Sequence, residues 1–206
     1  LAINANDTAN VTPAGIEADV QPGRLTIGET LPSGWDIAQA DITCGGKTIT
    51  KSASGLTVSL DPGDDVTCTF TNTKRAHIKV VKATSPANVD QDFAFTVTGT
   101  HADQLDANGA FDLNANDTAN VVPSSIEADV QPGSLTIGET LPSGWDIAQA
   151  DITCGGKTIT TSASRLTVSL NPGDDGTWTF TNTKRAHIKG VKVTCPTTVA
   201  QDFAFT

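Results

Sequence analysis

Hydrophobic and polar residues alternate with a period of two in short segments of the chain. The alternation is clearest in AHIKVVK (76–82), DFAFTVTG (92–99) and RLTVSL (165–170). Pro, Gly, Asn and Asp residues interrupt it at turns, and no stretch shows the longer period of an amphipathic helix. The pattern therefore predicts short β-strands and no significant helix.

Further strands with the same character follow in the second half of the chain. They are predicted at 109–113, 119–130, 134–141, 151–154, 157–161 and 177–183. Pro123 lies within one of them and removes a ladder hydrogen bond, so we expect that segment to be irregular or at a sheet edge. Roughly seven to nine short strands joined by turns are typical of an Ig-like β-sandwich. The fold class is therefore predicted to be all-β and mostly antiparallel.

The whole strand pattern repeats at an offset of 110 residues. Residues 1–96 recur as residues 111–206, and 18 of the 96 aligned positions differ. Tandem repetition of a unit as large as a domain is typical of stalks, adhesins and fibres, because identical modules extend reach without new chemistry. The repeat therefore predicts tandem β-sandwich domains.

The period also defines what a complete unit contains. From the strand AHIKVVK to the strand that ends in TFTNT, one whole β-sandwich covers residues 74–183. Residues 1–73 contain the same unit without its first two strands, and residues 184–206 contain those two strands alone. An incomplete sandwich exposes unpaired strand edges, which an added strand satisfies. We therefore expect 184–206 to complete a neighbouring or following domain.

Two arrangements meet this expectation. In the first, separate subunits join head to tail, and each donates strands 186–192 and 202–206 to the next subunit. In the second, the chain is a window of a longer polypeptide, and the same contacts occur between adjacent repeats. In both, the partners are identical subunits or adjacent repeats, and the product is a fibre.

Charge and hydropathy exclude several other partners. The chain carries a net charge of -10 and has no basic patch, so a nucleic acid is not an expected partner. No apolar run approaches the roughly 18 to 20 residues of a membrane span. The first residues, LAINANDTAN, lack the charged and apolar regions of a signal peptide, so any export signal or anchor is expected to have been removed or to lie outside this sequence.

The four cysteines predict one disulfide and no zinc site. Cys44 closes the strand-like DITC and Cys68 opens CTFTN, so a cross-strand disulfide is plausible in an oxidising compartment. No CxxC motif is present, and no His has metal-ligand spacing. In the second copy Trp178 stands where Cys154 would have its partner, so the pairing of Cys154 and Cys195 stays open. Cys195 is a free thiol, a new partner for Cys154 or a link between subunits.

Three ordered motifs carry a family resemblance. They are VVK (80–82), TIGETLPSGW (136–145) and FTNTK (180–184), and the last two recur at 26–35 and 70–74. Together they resemble the Cna protein B-type, prealbumin-like domains of bacterial surface adhesins and pilins. The resemblance covers the whole repeat. It implies a structural role at the cell surface, in a pilus, surface filament or adhesin stalk.

The resemblance also implies a covalent crosslink. Many members of that family form a spontaneous amide bond between a Lys on the first strand and an Asn on the last, assisted by a carboxylate on a middle strand. The matching residues in the complete unit are Lys82, Glu139 and Asn182. Across a junction between units, the corresponding set is Lys192, Glu29 and Asn72.

Strand parity gives an independent reason to expect these side chains inside the sandwich. Alternate side chains share a face, which places Lys82, Glu139 and Asn182 with the apolar residues of their strands. Burial lowers the pKa of a Lys and raises that of a Glu, which favours a neutral amine and a protonated carboxyl. In the alternative interpretation, Lys82 reaches solvent at a strand end, Glu139 binds backbone, and Asn182 caps a turn.

Other functional classes have weaker support. An enzyme acting on an external substrate is not expected, since the three histidines (His77, His101 and His187) accompany no Ser or Cys nucleophile with a base. The alternative is a carbohydrate- or calcium-binding adhesin module. Trp35 and Trp145 would stack on sugars, and the Asp- and Asn-rich loops 61–65 and 105–117 would hold calcium. Apart from that calcium, no cofactor is expected.

Overall fold

The computed structural model describes residues 15–116, 122–148, 152–155, 159–193, 202 and 204. Over these residues the chain forms seventeen β-strands and two short 3-10 turns, with no α-helix. The all-β prediction is confirmed. The chain divides into two compact units, which we call unit 1 (residues 1–76) and unit 2 (residues 77–206). In the described part of the chain, no helix is both long and apolar enough to cross a membrane.

The first sheet of unit 2 is an antiparallel arrangement built around its second strand. β9 (Asp92–Gly99) lies between β10 (Ala110–Asn114) and β12 (Gly133–Thr140). β16 (Arg165–Leu170) and then β15 (Thr160–Ser162) extend the sheet beyond β12. β-branched and aromatic residues dominate β9, as expected for a half-buried strand.

The second sheet of unit 2 joins the first strand of the repeat to the last. β8 (Ala76–Ser85) lies between β11 (Ser125–Val130) and β17 (Asp175–Lys184). β13 (Trp145–Asp146) and β14 (Ile152–Cys154) also pair with β17. The pairing of β8 with β17 is parallel, whereas the strands flanking β17 on its other edge are antiparallel.

Aromatic contacts between the two sheets form the core of unit 2. Phe95 of the first sheet meets Phe180 of the second edge to face, with ring centroids 5.2 Å apart. Phe93 meets Trp145 in the same way, also at 5.2 Å. Each fully buried aromatic or aliphatic side chain contributes about 1.5–3 kcal/mol by leaving water. Unit 2 is therefore a β-sandwich.

Unit 1 repeats part of this arrangement in smaller sheets. Its strands are β1 (Gly23–Gly28), β2 (Trp35–Asp36), β3 (Ile42–Cys44), β4 (Ile49–Ser52), β5 (Gly55–Leu60), β6 (Cys68–Phe70) and β7 (Thr73–Lys74). The sheets are β1-β5-β4, β2-β7 and β3-β6. Four residues form the buried core: Ile42, Cys44, Leu56 and Val58.

The register of the shared strands is the same in both units. β1 pairs with β5 from Gly23 opposite Leu60 to Gly28 opposite Gly55. β12 pairs with β16 through the residues 110 positions later. The near-identical sequences therefore fold alike wherever both units contain the same strands.

The units differ where unit 1 has no counterpart of β8. In unit 1, the segment 15–20 that corresponds to β11 forms no strand and is exposed. The segment 65–74 that corresponds to β17 is broken into β6 and β7. β8 satisfies the backbone groups of both neighbours in unit 2, which accounts for the difference.

The segment after β17 repeats the sequence of β8 but not its conformation. Residues 185–193 form no strand and are exposed, including Ile188 at 93%, Val191 at 70% and Val193 at 74%. The sequence predicts a strand at 186–192, and the structure differs because a strand requires a neighbouring strand for its backbone hydrogen bonds. Of the second predicted strand, 202–206, only residues 202 and 204 are described.

Candidate functional site: a buried lysine, glutamate and asparagine

The two sheets of unit 2 bring three polar side chains together in the core. Lys82 comes from β8 and Asn182 from β17, whereas Glu139 comes from β12 of the opposite sheet. Strand alternation turns each of them inward beside apolar neighbours, and the side chains of Lys82 and Glu139 are both 0% exposed. Asn182 is also fully buried. The structure thus assembles all three residues predicted for the complete unit.

One carboxylate oxygen contacts both the Lys82 amine and the Asn182 amide. Glu139 Oε1 accepts a hydrogen bond of 2.7 Å from Asn182 Nδ2 and lies 3.4 Å from Lys82 Nζ. The Lys82 amine also donates to the backbone oxygens of Phe180 at 2.9 Å and of Ala83 at 2.8 Å. It lies 4.3 Å from the centre of the Phe93 ring. Glu139 therefore lies between the Lys82 amine and the Asn182 amide and contacts both.

The cluster is not fully hydrogen-bonded. Glu139 Oε2 and Asn182 Oδ1 are buried and have no hydrogen-bond partner among the described residues. A buried unsatisfied polar group typically costs about 1–3 kcal/mol. Such a cost within a well-packed core is a reason to look for chemistry at this position.

Burial shifts the pKa values of the two ionisable groups toward each other. Burial lowers the pKa of Lys82 to about 8, although the charge of Glu139 opposes the shift. Burial likewise raises the pKa of Glu139, against the attraction of Lys82 and the hydrogen bond from Asn182. Both shifts favour the uncharged forms, an amine with a free lone pair and a carboxyl that carries a proton. These are the forms that a nucleophile and a proton donor require.

Unit 1 contains the corresponding glutamate and asparagine. Asn72 Nδ2 donates to Glu29 Oε1 at 2.5 Å. Glu29 Oε2 and Asn72 Oδ1 are buried atoms without a hydrogen-bond partner in the described residues, as are their counterparts in unit 2. Lys192, the counterpart of Lys82, lies in the exposed segment 185–193. Unit 1 therefore presents the acceptor pair of the predicted junction site.

The cysteines differ between the units. A disulfide joins Cys44 of β3 to Cys68 of β6, directly opposite each other in the antiparallel pair. At the same place in unit 2, Cys154 lies opposite Trp178, whose side chain is almost fully buried. Cys195 lies outside the described residues. Strands β3 and β6 are thus linked covalently, whereas β14 and β17 pair antiparallel beside a buried indole.

The tryptophans proposed for sugar stacking occupy unequal positions. Trp145 is 4% exposed and packs edge to face on Phe93, so its ring closes the core of unit 2. Trp35, its counterpart in unit 1, is 39% exposed. A ring that already covers a core offers no face to a sugar, which weakens the carbohydrate interpretation for unit 2.

The acidic loops use their carboxylates internally. In loop 61–65, Lys47 forms ion pairs with Asp61 and Asp64. The predicted loop 105–117 is a loop only up to Gly109, because Ala110–Asn114 form β10; within it, Asp106 accepts hydrogen bonds from the backbone N–H groups of Asn108 and Ala110. Among the described residues, no three His, Cys, Asp or Glu side chains are grouped so that they can hold a metal. The loop geometry is that of turns.

Sequence reasoning missed an arginine fork that recurs in both units. Arg75, just after β7, donates to both carboxylate oxygens of Asp36, at 2.6 and 2.7 Å. Arg185, just after β17, binds Asp146 in the same bidentate way. The recurrence of Trp-Asp and Lys-Arg in both copies was the available signal. These pairs hold the residue after the last strand of each unit to the short strand that follows LPSG.

A comparison with protein families matches the chain twice. A family model described as a prealbumin-like fold domain matches residues 1–74 and 78–184. No curated protein sequence matches the chain significantly.

Several solved structures also match. A bacterial adhesin from Mobiluncus mulieris, described as containing intramolecular disulfide, isopeptide and ester bond cross-links, is 13% identical, with a TM-score of 0.41. That match covers 73% of this chain and 61% of the adhesin chain, so this chain spans less than two thirds of its length. The major pilin from Streptococcus pyogenes is 14% identical with a TM-score of 0.36, over 81% of this chain and 72% of the pilin. The family match confirms the resemblance carried by the sequence motifs: the chain belongs to the prealbumin-like fold domain family.

Proposed function

We propose that this chain is a load-bearing structural segment of an extracellular fibre, such as a pilus, a surface filament or an adhesin stalk. The observation that carries the proposal is the parallel pairing of the first and last strands of the complete repeat. β8 and β17 are in register over nine residue pairs, from His77 opposite Asp175 to Ser85 opposite Thr183. The sequence motifs that resemble surface adhesins and pilins support a location outside the cell.

Parallel neighbours place the two ends of the repeat at opposite ends of the strand pair. Tension enters at the start of β8 and leaves at the end of β17, so it pulls the two strands in opposite directions along their length. All the hydrogen bonds between them then resist together, instead of opening one at a time. This geometry suits a module whose work is mechanical.

An amide bond between Lys82 and Asn182 strengthens the same path. The neutral amine of Lys82 attacks Asn182 Cγ, the Nζ–Cγ bond forms, and the Cγ–Nδ2 bond breaks. Glu139 passes one proton from the amine to the leaving nitrogen, which departs as ammonia. Force then crosses from β8 to β17 through covalent bonds, and the residues between 82 and 182 carry none of it.

Intact mass measurement of the reduced, monomeric chain tests this bond. We expect a mass lower than that of the sequence by one ammonia, and a Lys82–Asn182 linked peptide after digestion. Glu139→Gln removes the proton carrier and should restore the full mass. The control Glu127→Gln changes an exposed carboxylate of β11 that pairs with Lys79, and should leave the loss intact. A folded wild-type chain of unshifted mass would refute the bond.

Head-to-tail assembly by strand complementation is the second part of the proposal. The strand 186–192 repeats the sequence of β8, and the two segments that flank β8 in unit 2 have unpaired or broken counterparts in unit 1. Inserted there, 186–192 would place Ile188 in the core position of Ile78, which is fully buried in unit 2. The exposed side chain of Ile188 thereby gains a core.

Charge complementarity supports the same docking. In unit 2, His77 Nδ1 lies 2.9 Å from Asp129 Oδ1, and Lys79 Nζ lies 3.4 Å from Glu127 Oε2. The counterparts are His187 and Lys189 on the donated strand, and Asp19 and Glu17 on unit 1, and all four are exposed. Docking in the register of β8 would bring His187 close to Asp19 and Lys189 close to Glu17. The partner is then a second copy of this repeat, on another chain or along the same one.

Sedimentation of the full chain over a range of concentrations tests the docking. We expect oligomers that grow with concentration, and Ile188→Asp should abolish them because a charge would enter the core. Lys189→Gln lies on the outer face and should weaken association less than about fivefold, the usual limit for an exposed ion pair. Equal effects of the two substitutions, or a monomer at all concentrations, would contradict strand complementation.

A further inference from the structure

We infer that residue 190 of the donated strand determines which unit the strand completes. The strand meets an acceptor edge, by which we mean the edge of β17 that pairs with β8 in unit 2 and the corresponding edge of β6 in unit 1. Gly190 matches the acceptor edge of unit 1, where a disulfide lies, and is mismatched to that of unit 2, where Trp178 lies. The inference rests on the proposed strand complementation and adds partner selection to it.

A sequence difference in the donated strand falls opposite a sequence difference in the acceptor edge. Val80 of β8 is paired with Trp178 of β17. A strand docked on unit 1 in the same register would pair Gly190 with Cys68. Gly190 is also the only residue by which the donated strand AHIKGVK differs from AHIKVVK of β8. The donated strand therefore departs from β8 at a residue whose partner has changed as well.

The indole of Trp178 extends toward Gly176, two positions earlier on the same face of β17. A Cβ atom at Gly176 would lie 3.4 Å from Trp178 Nε1 and 4.0 Å from Cε2. The ring therefore lies where a side chain of residue 176 would begin. Gly176 is paired with Ile78, so the indole fills space beside that pair. Unit 1 has Val66 in place of Gly176, and there the valine supplies the volume.

Val80 fills the core beside Trp178 itself. Val80 is fully buried, and Trp178 is 1% exposed. Because the indole is turned toward Gly176, the valine side chain is needed at this position of unit 2. A glycine in its place would leave a cavity and would lower the preference of the segment for a strand. The donated strand would therefore displace β8 from unit 2 only with a loss of packing.

The disulfide of unit 1 distributes its volume differently. Cys44 and Cys68 are paired across β3 and β6, so the bridge holds both sulfur atoms beside the position that Gly190 would take. Cys44 belongs to the buried core of unit 1, and Val66 and Cys68 pack against that core. A bridge fixed at both ends cannot turn aside as an indole does, so a valine on the docked strand would overpack this position. Glycine leaves the bridge undisturbed.

The two matches direct each strand to its own acceptor edge. β8 supplies a side chain that the core of unit 2 needs, and the donated strand omits the side chain that unit 1 has no room for. Specificity of this kind depends on the cost of the wrong pairing as well as on the gain from the right one. Copies of the chain therefore join by completing unit 1, and unit 2 keeps its own first strand.

Peptide binding to two full-length acceptor chains tests the inference. Both acceptors carry Ile188→Asp, which disables their own donated strand. The first has the natural acceptor edge of unit 1. The second also carries Val66→Gly and Cys68→Trp, which reproduce on unit 1 the acceptor edge of unit 2.

The probes are two synthetic peptides of residues 185–206. One has the natural Gly190 and the other has Gly190→Val. Both carry Lys192→Arg and Cys195→Ser, so that no amide or disulfide bond forms and binding stays reversible. Titration calorimetry gives the dissociation constant of each peptide for each acceptor.

The preferred peptide should change with the acceptor. On the natural edge, the glycine peptide should bind at least as tightly as the valine peptide, although valine favours strands. On the edge with Val66→Gly and Cys68→Trp, the valine peptide should bind about tenfold more tightly or better, because glycine leaves a cavity. Tighter binding of the valine peptide to both acceptors, or the same ratio of dissociation constants on both, would overturn the inference and leave strand complementation standing. No binding of either peptide to either acceptor would overturn both.

A second measurement needs no change in the acceptor edge and covers a double variant that does not fold. Gly190→Val in the otherwise natural full-length chain makes the donated strand identical to β8 over its seven residues AHIKVVK. It should leave the association measured by sedimentation unchanged or weaker, because the bridge leaves no room for the added side chain. Stronger association would overturn the inference.

Discussion

Residues 1–74 of unit 1 and residues 111–184 of unit 2 carry nearly the same sequence, yet corresponding residues differ greatly in burial. Val20 and Val130 have identical neighbours, but Val20 is 50% exposed and Val130 only 1%. Trp35 and Trp145 differ in the same way, at 39% and 4%. Unit 2 contains β8 and β9, whereas residues 15–74 contain no counterpart of either strand. Burial in this fold is therefore decided by the first two strands, and not by the local sequence of the residues that become buried.

The largest difference between the units is expected from removing the asparagine of each site. The proposed Lys82–Asn182 bond would close a loop of roughly 100 residues, which in the chain-entropy account contributes about 4.7 kcal/mol. Asn182→Ala should therefore lower the free energy of unfolding of unit 2 by about that amount. Asn72→Ala, studied in monomeric chains, should cost unit 1 only about 1 kcal/mol for a lost hydrogen bond. Native-state hydrogen exchange of the β12 amides measures the stability of unit 2, and that of the β5 amides measures the stability of unit 1. Equal losses of unfolding free energy in the two units would contradict the predicted difference.

Truncating corresponding phenylalanines in the two units should give a smaller difference in the loss of unfolding free energy. Phe180 is fully buried and touches Phe95 edge to face, so Phe180→Ala should destabilise unit 2 by about 3–5 kcal/mol. Phe70 is half-buried, so Phe70→Ala should cost unit 1 roughly half as much or less. Urea unfolding followed through hydrogen exchange in each unit measures both. A larger loss in unit 1 would show that its core is more complete than its burial indicates.

The pH dependence of crosslinking distinguishes a reactive pair from a structural ion pair. The reactive form holds one proton on Glu139 and none on Lys82, so the pair must carry a single proton in total. Acid protonates both groups, and pH values above the lowered pKa of Lys82, about 8, remove the last proton. We expect the rate of ammonia loss during the first folding of a chemically synthesised chain, in which the bond has not yet formed, to be bell-shaped, falling about tenfold per pH unit on each side. A rate that rises steadily to pH 10 would show that Glu139 does not act as an acid.

The smallest expected effect is spectroscopic and concerns the exposed indole of unit 1. Trp145 and Trp178 are buried, so acrylamide should quench mainly the emission of Trp35 in the monomeric chain. Assembly should shift that emission to shorter wavelength and reduce the quenching, because the added strands complete the sheet around unit 1. The variant Trp35→Phe should abolish the change. An unchanged Trp35 signal in confirmed oligomers would mean that the junction forms elsewhere.

The sequence predicted the strands of unit 2 well because their signal is local. Alternation at 92–99 matches β9. The strand predicted at 76–82 begins where β8 begins and ends three residues before β8 ends at Ser85. The segment 119–130 was predicted too long: the strand begins at Ser125, after Pro123, and residues 117–121 lie outside the described ranges. Parity placed Lys82, Glu139 and Asn182 on the apolar face, and all three are buried.

What the sequence could not supply depends on distant partners. Nothing in AHIKVVK specifies a parallel neighbour a hundred residues away, and the same pattern at 186–192 forms no strand in this structure. The polar contacts of buried Asn114 with Asp90 and Asp92, at 2.9 and 2.8 Å, also join separate segments. Such contacts follow from the tertiary arrangement, which short-range patterns do not encode.

The replacement of Cys68 by Trp178 has a consequence for how this repeat ages and evolves. One unit depends on an oxidised sulfur bridge at the position where the other has a buried ring. A reducing environment would therefore weaken unit 1, and unit 2, with the indole, would not be affected. After the duplication, such divergence gives the two units different chemical vulnerabilities.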